Sequence, residues 1–592
     1  MGVRNAVRPS VLANADAKSL LESPGGRLRQ PEDSFAPRID FTVVALIAYA
    51  LLVVTMWGNF AFSSGMFSET GFSFQSQTQS AWQGFRYSDS LRPHTSTFYQ
   101  LSYLIGRVCG VAGSFVPYQF VYAALWWAKG VLVFLLLRRL VSSALFLSYV
   151  AGALALVHAS DLALQWIGQL NQLGFTLWLL LSLYCFVAAV QQPNRTCAAG
   201  WLLFAGFFQY MCLWSYESPL FIILAAPLLT GFLLRPRLKR LWISSICWYV
   251  VPIVYIWLSL KRYLHAKGAT YQETVLRKTW SVHSLMSDLV FNIRSSVSFW
   301  SWTRQNGYLP TGEVYRLAAV ATIVFVAAAM TFVLDGKQGN EVASKPDIDF
   351  AIAWKFLALG TVLLVLSFPA YLLLIDPRTL WRTQLLSGIG AGIVLSAAFA
   401  VVAMPASKGW NRDSVVTTLS AVVIFCGASS AVERGAFFRS LWQQHRVVLK
   451  QVIGNAPQIR PETIVVLIGI PKGKDPFRDD MWFDMALRLA YPGVPVAGNY
   501  YYSDHTPGPD NPLKLSSNHW HLQQSFTTPL VGYGGLEQTI VFEYGADGNS
   551  RIVAKFPQFL CANTCSPELY NPDQRIIGET PSPMAIRRYG PL

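Results

Sequence analysis

The chain has 592 residues, 53% of them hydrophobic and only 13% charged, against about a quarter charged in an ordinary soluble domain, which excludes that class. Its net charge of +15 does not make it a nucleic-acid binder. Lys and Arg are scattered between apolar segments, and no basic helix or zinc-finger spacing gathers them. Basic residues so placed are those that collect in cytoplasmic loops and orient membrane spans.

Residues 1–40 are polar, rich in Arg, Ser and Pro, and lack the apolar segment of a cleavable signal peptide. They read as a flexible cytoplasmic tail, with Phe41 to Trp57 as an uncleaved signal anchor. A spanning helix needs about 20 mostly apolar residues. Such runs recur at 41–58, 118–137, 142–157, 171–191, 197–214, 218–234, 241–260, 315–334, 353–375, 384–404 and 414–432. The fold class expected is a mainly α polytopic membrane protein of about eleven transmembrane helices with a C-terminal mixed α/β domain. An odd number of spans puts the termini on opposite sides. With the N-terminus inside, Arg138, Arg139, Arg195 and the RPRLKR run (Arg235 to Arg240) lie in cytoplasmic connections, as the positive-inside rule asks. The loops 59–117, 158–170, 261–315 and 376–383 are then outside, with the C-terminal region. The setting expected is the inner (plasma) membrane.

From Glu433 the character changes. PETIVVLIGIPKG reads as a strand entering a loop, and DDMWFDMALRLAYPG as a short helix. QTIVFEYGADGNSRIVAKF reads as a hairpin turning at Asp547-Gly548-Asn549. The organisation predicted is a tail (1–40), a membrane domain (41–432) and an extracytoplasmic α/β domain (433–592). Cys109, Cys185, Cys197, Cys212, Cys247 and Cys426 fall in or beside apolar segments and read as small core hydrophobes. Cys561 and Cys565 form CANTC. With no second pair to complete a metal site, a local disulfide is expected, facing an oxidising compartment.

Polar groups beside a span are costly, so an acid there is a functional candidate by default. Four places qualify. The first outer loop offers Glu69 in FSETGFSF, then Asp89, Arg92 and His94 in YSDSLRPHTSTFYQ. A solvated loop is the plain alternative, but 98–116 is apolar and amphipathic and predicts a segment lying on the membrane surface. The second place is VHASDLALQWIGQLNQLG, with His158, Asp161 and Trp166; helix capping is the plain role for Asp161. The third is Glu217 in WSYESPL, an acid between two apolar spans that must pair or work. The fourth is LLLIDPRTLWRTQLL, with Asp376, Arg378 and Arg382. Arginines outside run against the positive-inside bias and suit bidentate phosphate binding. Four residues apart, Arg378 and Arg382 share a face if this segment is helical; beside Trp381, an interfacial anchor is the alternative. In the α/β domain, the aromatics of NYYYSDH (Asn499 to His505) and NHWHLQQ (Asn518 to Gln524) suit sugar stacking or plain core packing.

Taken together, an anchor span, a long outer loop with an acid and then Arg92-Pro93, a span ending in basic residues (VYAALWWAKGVLVFLLLRRL), a polar Trp motif and the Ser-Tyr-Glu-Ser segment resemble a known family. It is the GT-C class of polytopic glycosyltransferases, which includes the protein O-mannosyltransferases, aminoarabinose transferases and arabinosyltransferases. The resemblance covers about residues 41 to 432 and is architectural, with loose motifs. It implies an Asp or Glu of the first outer loop as catalytic base and a polyprenyl-phosphate sugar as donor. The family's acid falls on Glu69, with Asp89 competing, and its phosphate-binding arginine on Arg378 or Arg382, with Arg92 the Arg-Pro landmark. A paired Asp-Asp or Asp-Glu, common in the class, is absent, which leaves a divalent metal open. WIGQLNQLG resembles the class's Trp motif, with Asp161 as a second acid. The expected function is transfer of a sugar to a cell-envelope glycan or glycolipid at the outer face of the bilayer. The alternative is a non-catalytic membrane protein, a transporter or a polysaccharide polymerase or flippase component.

Overall fold

The structure, a computed structural model, describes residues 40–61, 63, 65, 92–111, 114–158, 170–236, 238–265, 276, 277, 279, 281–302, 308–338, 349–374, 386–406, 410–477, 480–509, 513–522, 533–561 and 565–589. Glu69, Asp89, Asp161, Trp166, Asp376, Arg378 and Arg382 lie outside the described residues, as does the tail 1–39.

The helices in chain order are α1 (Phe41–Ala61), α2 (Thr97–Val108), α3 (Val116–Leu140), α4 (Leu145–Leu156), α5 (Leu170–Gln191), α6 (Arg195–Leu213) and α7 (Leu220–Leu234). After them come α8 (Leu238–His265), α9 (Val282–Val297), α10 (Thr311–Gln338), α11 (Phe350–Leu366), the single turn α12 (Pro369–Leu372), α13 (Ser387–Ala403) and α14 (Trp410–Asn455). Among the described residues, eight helices are long and apolar enough to cross a membrane, and the protein is polytopic. The other three expected runs are the shorter helices α4, α7 and α13. At 1.5 Å per residue, the 12 residues of α4 rise about 18 Å, against a hydrocarbon core of about 30 Å. Nearly all of α4 is buried inside the bundle, so neighbouring helices, not lipid, surround it.

Close approach of backbones holds this centre together. α13 packs against α11 on one side and α4 on the other. Its SGIGAGIV segment places Gly390 and Gly392 two residues apart, about 200° around the helix, so they face opposite neighbours. A Cβ on Gly390 would stand 2.5 Å from the Leu364 nitrogen of α11, and one on Gly392 would stand 2.6 Å from the Ala155 nitrogen of α4. Hydrophobic burial gives no preference for helix contact over lipid contact, so association at this depth depends on such close packing. Gly392→Ala is expected to cost about 1–3 kcal/mol, or more if neither backbone yields. Thermal unfolding of the full chain in detergent measures it, and an unchanged midpoint would contradict the packing described.

Of the amphipathic segment expected over 98–116, the part up to Val108 is a helix. α2 buries Phe98, Tyr99, Ser102 and Gly106, and it exposes Leu101, Leu104, Ile105 and Val108, an apolar outer face suited to a membrane surface. Phe98 stacks on Trp178 at 5.2 Å, in room left by Gly174. The cysteine expectation holds in part. Cys185, Cys212 and Cys426 are buried, whereas Cys109, Cys197 and Cys247 are exposed. An apolar residue in a span meets either protein or lipid, and lipid is as apolar as Leu.

α14 is 46 residues long, about 70 Å and more than twice the hydrocarbon thickness. The change of composition at Glu433 therefore falls inside a continuous helix. Beyond it come β1 (Gln458–Ile459), β2 (Thr463–Ile470), α15 (Asp480–Ala490), β3 (Val496–Tyr502), β4 (Leu513–Ser516), β5 (His519–Leu522), β6 (Tyr533–Gly535), β7 (Thr539–Tyr544), β8 (Ser550–Ile552), β9 (Ile576–Gly578) and α16 (Pro583–Tyr589). The main sheet has the order β3-β2-β7-β8. β2 runs parallel to β3 and β7, and β7 and β8 make the expected antiparallel hairpin, with Gly548 at φ 76° in its turn.

As a central parallel strand, β2 is covered on both faces, and its alternation sorts two cores. Val465 and Leu467 join the core shared with α14, whereas Ile464, Val466 and Ile468 pack with Trp520, Leu513 and Leu536 of the second core. Trp520 and Tyr500 are therefore core residues, while Tyr501 and Tyr502 stay half-buried. Cys561 and Cys565 are joined as a disulfide. The domain is fastened to α14: Gln451 accepts from the Ser550 N–H at 2.7 Å, and Arg446 donates to the Tyr589 carbonyl at 3.0 Å. Trp442, lower on the same helix, meets Phe115 at 5.2 Å and Tyr589 at 6.0 Å.

Candidate active site

The hairpin between α6 and α7 turns through Trp214-Ser215-Tyr216-Glu217-Ser218-Pro219. Pro219 at φ −71° is pre-set for the first turn of the apolar helix that follows. Residues 92–97 are pinned onto this turn. The His94 N–H donates to the Trp214 carbonyl at 3.3 Å, and Thr95 Oγ1 donates to the Ser215 carbonyl at 3.2 Å. Arg92 makes a two-point contact with Glu217: Nε donates to Oε2 at 3.0 Å and Nη2 to Oε1 at 2.6 Å. The guanidinium lies over the Tyr216 ring, 4.6 Å from its centre, and that ring stacks on Phe175 at 5.0 Å. Two sequence candidates 125 residues apart are thus one unit.

Further hydroxyls converge here. Tyr371 of α12 and Tyr255 of α8 lie within electrostatic reach of both Glu217 and Arg92. The Tyr371 hydroxyl faces Ser218, yet both oxygens are buried without a well-formed hydrogen bond. Neither tyrosine was among the sequence candidates, because a Tyr at the end of an apolar run is also the ordinary mark of a membrane interface. The only signal was the polarity of WSYESPL, which drew attention to Glu217 and not to its partners.

His94 sets its ring edge-on to Tyr210 at 4.8 Å, and its Nε2 is buried with no hydrogen-bond partner among the described residues. Burial lowers its pKa from the ordinary 6.5. A histidine held neutral in the fold stabilises it above the unfolded value, and that contribution is lost as pH falls through about 6.5 toward the lowered folded value. The docked loop is therefore expected to loosen on mild acidification, read as faster hydrogen exchange around Arg92 to Thr97. A His94→Asn variant that loosens equally with acid would contradict this.

His158 has its own surroundings at the end of α4. Its Nε2 donates to the Ser296 carbonyl of α9 at 2.6 Å, and its ring meets Trp302 edge-on at 4.8 Å. Leu373 and Leu374, which precede Asp376 in the chain, are held by a neighbouring segment. Leu276 bridges Leu374, and the Arg277 N–H donates to the Leu373 carbonyl at 2.9 Å. Arg277 in turn pairs with Asp288 at 2.7 Å and donates to Ser284 at 2.9 Å, which holds that approach in place.

The helices also enclose an apolar cleft, lined by Leu137, Leu183, Ile222, Leu363, Leu386 and Ile389 among others. Thr230 is the single hydroxyl-bearing residue among those lining it. A lining of this kind offers nothing to a polar solute. Among the described residues, no group of three or more His, Cys, Asp or Glu gathers as metal ligands do.

No protein-family model matches the chain, and no curated protein matches it. The structure is similar over 77% of the chain to that of ArnT from Cupriavidus metallidurans bound to undecaprenyl phosphate, with 12% identity, 85% of that chain covered and a TM-score of 0.34. The apo crystal structure of the same ArnT is similar over 77% of the chain and 84% of its own, with 12% identity and a TM-score of 0.33. At that identity and TM-score the likeness assigns no reaction and no residue.

Proposed function

We propose that the chain is a membrane glycosyltransferase that moves a sugar from a polyprenyl-phosphate donor to a cell-envelope glycan or glycolipid at the outer face of the membrane. The observation that carries this is the two-point Arg92–Glu217 unit, with Tyr371 and Ser218 hydroxyls nearby, in a polytopic helical chain that also holds an apolar cleft. A lipid-linked sugar phosphate combines an isoprenoid chain with an anionic head. In this reading residues 41–432 form the catalytic membrane domain and residues 433–592 an extracytoplasmic domain, with the N-terminus cytoplasmic.

Transfer needs a carboxylate to take the proton of the acceptor hydroxyl as its oxygen attacks the anomeric carbon. The bond from that carbon to the phosphate oxygen breaks, and the electron pair leaves with the lipid phosphate, whose charge needs cations beside it. Glu69 is assigned as the base, with Asp89 the competing carboxylate, and Arg378, Arg382 and Arg92 as the phosphate's partners. Purified protein offered a panel of polyprenyl-phosphate sugars should consume at least one and release the lipid phosphate. Binding and consumption of none would sink the proposal.

A further inference from the structure

Arg92 is held in the same two-point geometry that a phosphate would use, but by a carboxylate of the chain itself. The planar guanidinium fork fits carboxylate and phosphate oxygens alike. The two partners are unequally fixed. Arg92 is 24% exposed and lies over the Tyr216 ring, whereas Glu217 is 42% exposed and sits in a turn. The carboxylate has two oxygens, and Arg92 engages both. Beside them the hydroxyls of Tyr371 and Ser218, 3% and 1% exposed as residues, are buried without a well-formed hydrogen bond. A buried donor left unpaired is costly, and a phosphate brings more acceptor oxygens than a carboxylate.

Resting on the donor reading above, we propose that Glu217 is a placeholder anion, displaced from Arg92 when a phosphate-headed lipid binds. The phosphate takes over the guanidinium fork and accepts from Tyr371 and Ser218, and Glu217 swings toward solvent. With the site empty, the pair keeps Arg92 neutralised and oriented. Glu217 is then a positioning residue that competes with the ligand and so sets its affinity.

The test is a titration of the full chain in nanodiscs with undecaprenyl phosphate, and in parallel with phosphatidic acid, read by native mass spectrometry. Glu217→Gln keeps the shape and removes the competing charge. It should bind undecaprenyl phosphate about tenfold more tightly than wild type, a gain of about 1.4 kcal/mol. Arg92→Gln should bind it more weakly, and adding Glu217→Gln to Arg92→Gln should restore nothing. Equal tightening toward phosphatidic acid supports displacement by any phosphate-headed lipid, whereas tightening toward undecaprenyl phosphate alone supports displacement by the donor class. If wild type binds undecaprenyl phosphate and a Glu217→Gln variant with an unchanged melting temperature binds it no more tightly, the placeholder role is wrong while the donor reading stands. Absence of binding by wild type and variant overturns both.

Discussion

Glu69→Gln is expected to lower sugar transfer by about 10²–10⁴-fold, the range a positioned general base supplies, while leaving donor binding intact. The amide keeps the size of the side chain and cannot take a proton. Asp89→Asn is expected to change the rate far less, because Asp89 is the competing assignment and stands only three residues before Arg92. Steady-state transfer assays on the two variants, with donor binding measured separately, decide between them. If Asp89→Asn alone abolishes turnover, the assignments exchange; if neither variant affects it, the site is elsewhere.

The second large effect is on folding. In α15 Asp484 and Arg488 form a buried pair, with Nη2 and Oδ2 2.5 Å apart and side chains 3% and 5% exposed. Asp484 Oδ1 also accepts from the Gly498 N–H at 3.0 Å, tying the crossover helix to β3. Burial pushes the Asp484 carboxyl up, and Arg488 and the Gly498 N–H pull it back. Removing one member strands the other charge in the core, so Arg488→Met is expected to destabilise the α/β domain by about 3–5 kcal/mol. Asp484→Asn combined with Arg488→Met keeps an acceptor for Gly498 and leaves no buried charge, so the double variant should be the more stable of the two. Hydrogen exchange of β2 and β3 in the full chain measures both. A single variant as protected as wild type would contradict the described pairing.

Local regularities in the sequence were legible where a local cause produces them. Apolar length marked the helices, a β-rich run before Pro-Lys-Gly marked β2, and Asp-Gly-Asn marked the β7–β8 turn. CANTC marked the disulfide. What was not legible depends on packing between distant segments. Glu217 and Arg92 were each singled out, but nothing in one sequence couples residues 125 apart. Tyr255 and Tyr371 were hidden because an interfacial tyrosine and a site tyrosine look alike in sequence. The exposed Cys247 and the buried Cys185 and Cys212 all lie in apolar runs, since lipid and protein interior are alike to hydropathy. The sugar-stacking expectation met a similar limit: in NYYYSDH, Tyr500 is core while Tyr502 is half-buried and donates to Asp475 at 2.7 Å. Trp520 of NHWHLQQ is also core, its indole N–H donating to Thr539 at 2.9 Å.

The proposed function requires the chain to bind a lipid-linked sugar phosphate and transfer its sugar. Donor consumption by the purified full chain, across a panel of polyprenyl-phosphate sugars with a membrane glycan extract as acceptor, measures it directly. The predicted result is release of polyprenyl phosphate from at least one donor, dependent on the acceptor and lost in Glu69→Gln. Intact donors throughout, with no donor bound, would contradict it.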